Sequence, residues 1–371
     1  MLMIPVIVLF FRENGLSMKE IFLLQSLFSL TVILLEVPTG YFSDIFGRKR
    51  SIVIGGIFAT FGWIIYSLSY SFGGFLLAEV ILGFGLSFVS GADSAMLYDT
   101  LLETKRESEY QKVEGRGLGI GVASEGIASV IGGFLALVSL RFPFYWDTAF
   151  TFLIIPLALT LTETKKHERI SEKNSLKSML RLMKYCLHDH VSIKWLIIYS
   201  AFVNASTLTM FWFTQPYLAE TNVPLAFFGI ASATLLFTAA FFSWNAHHLE
   251  KFMGRKASLI TLAILPVAGY LLLSSFWFIW SGIFILLFYI TRGINNPVTL
   301  SYINGQISSD VRATVLSVRN LVGRLVFSVA GPFLGWISDV YSLQAALLAS
   351  ALTFLITGLI ALCFMHKHKA L

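Results

Sequence analysis

Several ionisable side chains lie within the long apolar runs of this sequence, where an isolated charge is costly, and four of them are candidate site residues. Glu36, Asp93 and Glu125 are carboxylates that could bind and release protons, and Arg292 is a cation that could hold an anion. An ionisable group inside a membrane span costs about 2.5–3.5 kcal/mol on insertion scales, so each is a candidate functional residue. For Arg292 we predict a partner, either one of these carboxylates or an anionic solute group. The alternative for each carboxylate is a structural ion pair.

Uncharged polar side chains form a further candidate set. They lie in the apolar run near 193–218 and include Asn204 and Gln215, with threonines and Trp212 between them. Such a stripe would suit the wall of a water-filled cavity. The alternative is hydrogen bonding between packed helices, which also favours small polar residues.

Composition identifies the elements that must position these residues. The chain has 371 residues, of which 56% are hydrophobic and 13% charged, and its mean hydropathy is +0.75. Soluble domains carry about 25% charged residues, so this is an integral membrane protein. Apolar runs long enough to span a membrane fall near 20–43, 51–70, 73–97, 114–138, 145–162, 193–218, 225–246, 257–276, 278–301, 314–337 and 343–365.

The first residues form a shorter apolar segment. Residues 1–11 are apolar but only half a span long, and we interpret them as the outer half of span 1. We therefore expect either an upstream start or a truncated form. A cleaved signal peptide is not expected, because a charged n-region and a small-residue cleavage site are absent.

A charged stretch separates the runs that we number spans 2 and 3. It reads Gly40-Tyr-Phe-Ser-Asp44-Ile-Phe-Gly47-Arg48-Lys49-Arg50. Its pattern of glycines, acid and basic cluster resembles the signature loop between helices 2 and 3 of the major facilitator superfamily of secondary transporters. The resemblance implies an all-α fold of twelve helices, arranged as two six-helix bundles with pseudo-two-fold symmetry, in which helix 1 is truncated here.

The same resemblance implies a cytoplasmic gate. In the family, the acid of this loop caps the start of helix 11 when the inner side is closed, since a helix N-terminus carries partial positive charge. We carry this role to Asp44, with Arg312 nearby, and we expect the basic cluster to pair with Asp99. The predicted gate residues are Gly40, Asp44, Gly47, Arg48, Lys49, Asp99 and Arg312.

A second, weaker copy of the loop occurs about 200 residues later. Gly254-Arg255-Lys256 repeats the glycine and the cations, but the preceding acid, Glu250, has an extra residue of spacing. Repeats of this kind are typical of the family's two halves. We therefore divide the chain into an N-terminal bundle (1–162), a cytoplasmic linker (163–192) and a C-terminal bundle (193–371), and we expect the first copy to be the stronger latch. The linker contains either an amphipathic helix or a solvated segment.

Basic residues predict the topology. Of the 27 Lys and Arg residues, 23 fall on one predicted side, three on the other and one within a span. Because Lys and Arg in short loops mark the cytoplasmic side, we expect a multi-pass protein of the cell (inner) membrane with both termini in the cytoplasm. The net charge of +6 is spread over these loops, which does not indicate nucleic-acid binding.

These observations favour transport of a small solute by alternating access, with proton-coupled efflux of a drug-like or amphipathic compound as the first hypothesis. The alternative is proton-coupled uptake of a small anionic or sugar-like solute, which Arg292 would favour. A membrane enzyme or sensor is disfavoured, because the sequence has no nucleotide-binding loop, catalytic constellation or soluble output domain. We expect no cofactor, metal or catalytic residue, and a monomer whose partners are the solute, protons and lipid.

Overall fold

The computed structural model describes residues 1–164, 190–307 and 312–368, and the side chains of all of these except 312–314. These ranges are helical and contain no strand. Ten of the helical segments in them are long and apolar enough to cross a membrane. The chain divides into two compact units, one of Met1–Leu16 with Leu27–Ser178 and one of Ser17–Ser26 with Met179–Leu371.

The first unit begins with a short helical turn at Ile4–Val6 and then contains one long helix after another. Apolar runs of about 20 residues form helices in a membrane because each backbone group must be satisfied within its own segment. The helices are α1 (Ile7–Glu13), α2 (Met18–Phe46), α3 (Arg48–Leu68), α4 (Phe72–Val89), α5 (Ala92–Glu103), α6 (Tyr110–Ala136) and α7 (Phe142–Thr160).

The fourth predicted span is two helices rather than one. α4 ends at Val89 and α5 begins at Ala92, and Gly91 between them has a left-handed backbone with φ of +81°. Only glycine adopts this region without a steric cost, so the break follows from the Ser90-Gly91 pair. Asp93 therefore lies in the first turn of a new helix and not within one continuous helix.

Small residues bring α3 and α4 together. A Cβ added to Gly55 would lie 2.8 Å from the carbonyl oxygen of Gly85, and one added to Gly62 would lie 2.7 Å from the side chain of Leu82. Without side chains at these positions the two backbones approach closely, as is common between membrane helices.

An aromatic cluster fills one end of the first unit. The rings of Phe10 and Phe144 lie 4.1 Å apart, the ring of Tyr66 packs against both, and the ring of Phe75 packs against Phe10 and Tyr66. The Tyr66 hydroxyl donates to the buried carboxyl of Glu79 at 3.0 Å. A buried carboxyl group requires such a donor, so this contact makes the acid tolerable in an apolar core.

The second unit contains the remaining helices. They are α8 (Val191–Glu220), α9 (Phe228–Ser275), α10 (Leu286–Asn304), α11 (Arg312–Val340) and α12 (Leu343–Lys367). α9 is two predicted spans joined through a non-helical residue, Gly254, with φ of +76°. A short 3-10 segment, Ile279–Ile285, precedes α10 and completes its span.

α8 is the most buried span of this unit and forms its centre. Its residues Leu196 and Ile197 belong to a buried cluster with residues of α9, α10, α11 and α12, among them Leu259 and Met365. The Tyr199 hydroxyl donates to the Leu259 carbonyl, so a hydrogen bond also ties α8 to α9.

The start of α2 is held within the second unit. The carboxylate of Asp339, near the end of α11, accepts the backbone N–H groups of Met18 at 2.8 Å and Lys19 at 2.7 Å. The ring of Phe22 lies against Gly331, where a Cβ would come within 2.7 Å of it. The carboxylate thus satisfies two of the donors that a helix N-terminus leaves unpaired.

Candidate functional site

The predicted signature loop is a tight turn between α2 and α3. Gly47 has φ of +107° and ψ of 150°, a region that is almost restricted to glycine. A Cβ there would lie 2.5 Å from the carboxylate of Glu163. That carboxylate accepts the N–H groups of Arg48 at 2.8 Å and Lys49 at 3.1 Å. A glycine is therefore required at position 47 for two reasons. Its backbone angles are unfavourable for other residues, and a side chain would collide with the capping carboxylate of Glu163.

The loop also carries the predicted ion pair. Arg48 Nε lies 2.9 Å from Asp99 Oδ2, and both side chains are more than three-quarters buried. The pairing of the basic cluster with Asp99 is confirmed. It joins the start of α3 to α5, which is the second half of the broken span.

The partner that the resemblance implies for Asp44 lies outside the described residues. Asp44 itself is exposed near the end of α2, and Gly40 is half-buried one turn before it. Asp310 is not described, and neither is the side chain of Arg312. The proposed cap on the start of α11 therefore stays a prediction.

The second copy of the loop is held differently. Gly254 adopts a similar conformation, with φ of +76° and ψ of 165°. The Tyr302 hydroxyl donates to Glu250 Oε1 at 2.7 Å, and the guanidinium of Arg255 lies 4.6 Å from the centre of the Tyr302 ring. One tyrosine of α10 thus contacts the acid and one of the cations of this copy.

The three predicted proton-binding carboxylates lie on different helices of the first unit. Glu36 on α2 and Glu125 on α6 are half-buried, while Asp93 on α5 is exposed and accepts the N–H of Ser94 at 2.7 Å. Across residues 1–164, no hydrogen bond or ion pair joins one of the three to another. They are therefore separate candidate sites and not one constellation.

The polar residues predicted on α8 prove to be packed between helices. Asn204 is half-buried, and its Oδ1 accepts from Asn295 Nδ2 of α10 at 3.0 Å, while Gln215 is buried. For Asn204 the structure therefore shows a hydrogen bond between helices, which was the alternative to a cavity wall.

Arg292 is exposed near the middle of the 26-residue span Ile279–Asn304. The predicted carboxylate partner is not observed: in the described part of the chain, Arg292 takes part in no ion pair. An arginine that met lipid in the middle of a span would be costly, so we expect this face of α10 to contact water.

A second cation of this unit, Arg319, lies in the apolar run near 314–337 and is not one of the predicted site residues. The structure places it about 10 Å along α11, where it is only 4% exposed. Its Nε donates to Ser200 Oγ at 2.8 Å, and its Nη2 donates to Asn296 Oδ1 at 2.8 Å and Thr299 Oγ1 at 3.2 Å. Its position seven residues inside an apolar helix was the signal that could have identified it.

No metal centre is present in the described residues, since no three His, Cys, Asp or Glu side chains converge there. The arrangement instead combines water-facing charges inside spans with a braced loop at the end of α2.

Residues 1–205 match the family described as Major Facilitator Superfamily. The chain belongs to the major facilitator superfamily. Members of this family transport solutes across membranes, so the chain is a multi-pass membrane transporter. The predicted all-α membrane fold and the predicted family are both confirmed.

Two relatives with known sequences agree with this assignment. The "Uncharacterized MFS-type transporter YxaM" of Bacillus subtilis is 22% identical over 377 residues, which cover 98% of this chain and 92% of that protein. The "Quinolone resistance protein NorA" of Staphylococcus aureus is 26% identical over 181 residues, which cover 48% of this chain and 45% of that protein.

A solved structure shows the same fold. The nucleoside transporter NupG superposes with a TM-score of 0.78 at 13% identity, covering 98% of this chain and 96% of that one. At this identity the likeness concerns the fold alone.

Proposed function

We propose that this superfamily member exports a small amphipathic compound and couples that export to the entry of protons. The observation that carries the coupling is the set of span carboxylates, Glu36, Asp93 and Glu125, which lie outside any ion pair in the described residues. A carboxylate committed to an ion pair would be held in its charged form, whereas one that meets water in one state and apolar surroundings in another binds and releases a proton.

The direction of transport is supported by similarity over part of the chain. The match to the quinolone resistance protein covers about half of this chain. That similarity favours an amphipathic aromatic substrate moved outwards. The sequence offers no nucleotide-binding loop, so an ion gradient is the proposed energy source.

The test is flux in proteoliposomes with an imposed pH gradient. A fluorescent quinolone enclosed with the purified protein should move against its gradient when protons flow the other way, and a protonophore should abolish this movement. Glu36→Gln, Asp93→Asn and Glu125→Gln should each be compared with Glu13→Gln, an exposed acid at the end of α1. If the rate of flux were unchanged by the pH gradient and by all three substitutions, proton coupling would be refuted.

Uptake of a small anionic or sugar-like solute is the second candidate, and Arg292 favours it. This cation is exposed at mid-span with no ion-pair partner in the described residues, as a site for an anionic solute would require. Inward flux of such a solute driven by an inward proton gradient would select this candidate over export.

We further propose that the protein functions as a monomer in the cell membrane, with its basic loops and both termini on the cytoplasmic side. The charge asymmetry of the sequence supports this orientation. Cys363 is an exposed cysteine near the end of α12 and allows a test of the proposed orientation. An impermeant thiol reagent should label it in inverted vesicles and leave it unlabelled in intact cells.

A further inference from the structure

The buried cation of the second unit lacks a compensating negative charge. Arg319 is 4% exposed, and its three described hydrogen bonds go to a serine, an asparagine and a threonine. In the described residues it has no carboxylate partner. Burial of a charge is costly unless it is paired, and neutral partners supply only part of the compensation. An anion bound beside Arg319 would therefore compensate its charge.

Donors of the same guanidinium remain available. The described hydrogen bonds use Nε and Nη2, while Nη1 has no partner in the part of the chain that the structure describes. A guanidinium has five N–H donors in a planar fork that suits a carboxylate. Nη1 of Arg319 therefore has two donors for a further acceptor.

The orientation of Asn296 adds further donors. Because a guanidinium only donates, the side-chain oxygen of Asn296 must face Arg319, as it does at 2.8 Å. Its amide nitrogen must then point away from Arg319. That nitrogen has no hydrogen-bond partner in residues 190–307 or 315–368. Arg319 thus fixes an exposed amide N–H₂ group on the surface of α10.

Arg292 lies on the same face of α10 as Asn296. It precedes Asn296 by four residues on α10, and residues at this spacing are neighbours on a helix surface. Both side chains are exposed, on a face that we assign to water because an arginine occupies it at mid-span. This face of α10 therefore carries one guanidinium group and one amide nitrogen, both of them donors, and the buried guanidinium of Arg319 on α11 adjoins it through its hydrogen bond to Asn296.

We propose that Arg319, Asn296 and Arg292 form an anion-recognition site and that the transported solute carries an acidic group such as a carboxylate. The inference rests on the proposed transport function and defines its substrate class. An aromatic carboxylate fits both the amphipathic character proposed for the solute and the donor set of the site. The carboxylate binds between the Asn296 amide and the Arg292 guanidinium, with Nη1 of Arg319 as the deepest donor.

The test is binding of 2-naphthoate to the purified full-length protein in detergent, followed by thermal unfolding. 2-Naphthamide, which is nearly isosteric and neutral, is the matched ligand. Naphthoate should raise the unfolding temperature in a saturable way, and naphthamide should not. Loss of a charge-assisted hydrogen bond removes about 1.5–3 kcal/mol, so R292Q and R319Q should each weaken naphthoate binding roughly 10- to 100-fold.

Control variants separate recognition from folding. R12Q removes an exposed arginine of α1 and should bind naphthoate like the wild type. R292Q removes a side chain with no partner in the described residues, so its unfolding temperature without ligand should be unchanged. R319K keeps the charge and should retain more affinity than R319Q.

Several results would overturn the proposal. These are equal responses to naphthoate and naphthamide, no response to naphthoate, or wild-type affinity in R292Q and R319Q. Naphthoate binding without flux of any solute in proteoliposomes would instead refute the proposed transport function. Flux of neutral compounds without naphthoate binding would refute the anion site alone.

Discussion

The turn at Gly47 and the break at Gly254 share a Gly-Arg-Lys sequence and a similar glycine conformation, but different side chains hold them. In the first, Arg48 pairs with the carboxylate of Asp99. In the second, Arg255 lies over the ring of Tyr302. The same local sequence is thus compatible with an ionic junction and with an aromatic one, and the choice depends on the partner that another helix supplies.

The two junctions also differ in their capping acid. The first has Glu163, just after α7, on the N–H groups of Arg48 and Lys49. The corresponding final helix of the second unit, α12, ends in basic residues instead, His366 and Lys367. Residues 343–371 contain no Asp or Glu, so α12 and the residues after it cannot supply an equivalent side-chain carboxylate. That the first copy is the stronger latch stays a prediction.

The largest expected effect is that of Gly47→Ala compared with Gly254→Ala. Both glycines have backbone angles that cost other residues about 1–3 kcal/mol. At Gly47 the new methyl group also displaces Glu163, whereas at Gly254 it meets no atom within 4 Å. Loss of the cap adds about 0.5–2 kcal/mol, so Gly47→Ala should be the more destabilising change. Thermal unfolding in detergent measures this difference, and equal destabilisation would show that Glu163 contributes nothing.

A smaller effect is expected for Tyr302→Leu at the second junction. The substitution removes the hydrogen bond to Glu250 and the contact with Arg255. The hydrogen bond contributes about 0.5–1.5 kcal/mol. The cation–π contact contributes about 0.5–1 kcal/mol. Tyr302→Phe should recover the second contribution only, and the free energy of unfolding of the two variants separates them. If both variants unfolded like the wild type, the contacts of Tyr302 would contribute nothing to the free energy of unfolding.

Asp99→Asn should have a smaller effect that depends on salt. The partly exposed ion pair with Arg48 contributes up to about 1 kcal/mol. Because salt screens this attraction, the difference between wild type and variant should shrink as NaCl is raised. The effect of Tyr302→Phe provides the contrast, since a change at the aromatic junction should depend less on salt. An Asp99→Asn effect that was independent of salt would contradict an ionic junction.

The smallest effect is expected for Glu163→Gln. The amide oxygen still accepts from the N–H groups of Arg48 and Lys49, but the negative charge at the N-terminus of α3 is lost. That charge contributes about 0.3–1 kcal/mol. Glu163→Ala should cost more, because it also removes the acceptor. The unfolding temperatures of the two variants, measured side by side, test whether charge or hydrogen bonding dominates the cap.

Much of the fold could be predicted because membrane insertion imposes strong local rules. Apolar runs became helices, and the glycine at position 47 became a turn between two of them. The break at Gly91 was not predicted, because a continuous helix and a broken one have the same apolar composition. By contrast, the pairing of Arg48 with Asp99 could be predicted from the family resemblance, since both residues lie at the same predicted membrane face.

The candidate site was predicted less well. Arg292 was identified by its position in a span, but its carboxylate partner was not found in the described residues. Arg319 was not among the predicted site residues, because its position in the sequence does not show how deeply its side chain is buried. As an isolated amide in the sequence, Asn296 did not indicate a binding site. Its contact with Arg319 in the structure makes it a candidate.

Hydropathy, charge asymmetry and the loop motif are local properties of the chain, so the amino-acid sequence was sufficient to predict a membrane transporter built of helical spans. The compensation of other charged and polar groups became visible only in the folded chain. The cap of Glu163 on α3 and the neutral surroundings of Arg319 each join residues that are distant in the sequence or lie on different helices. Such contacts depend on how helices rotate and approach one another, and no local pattern of residues encodes that geometry.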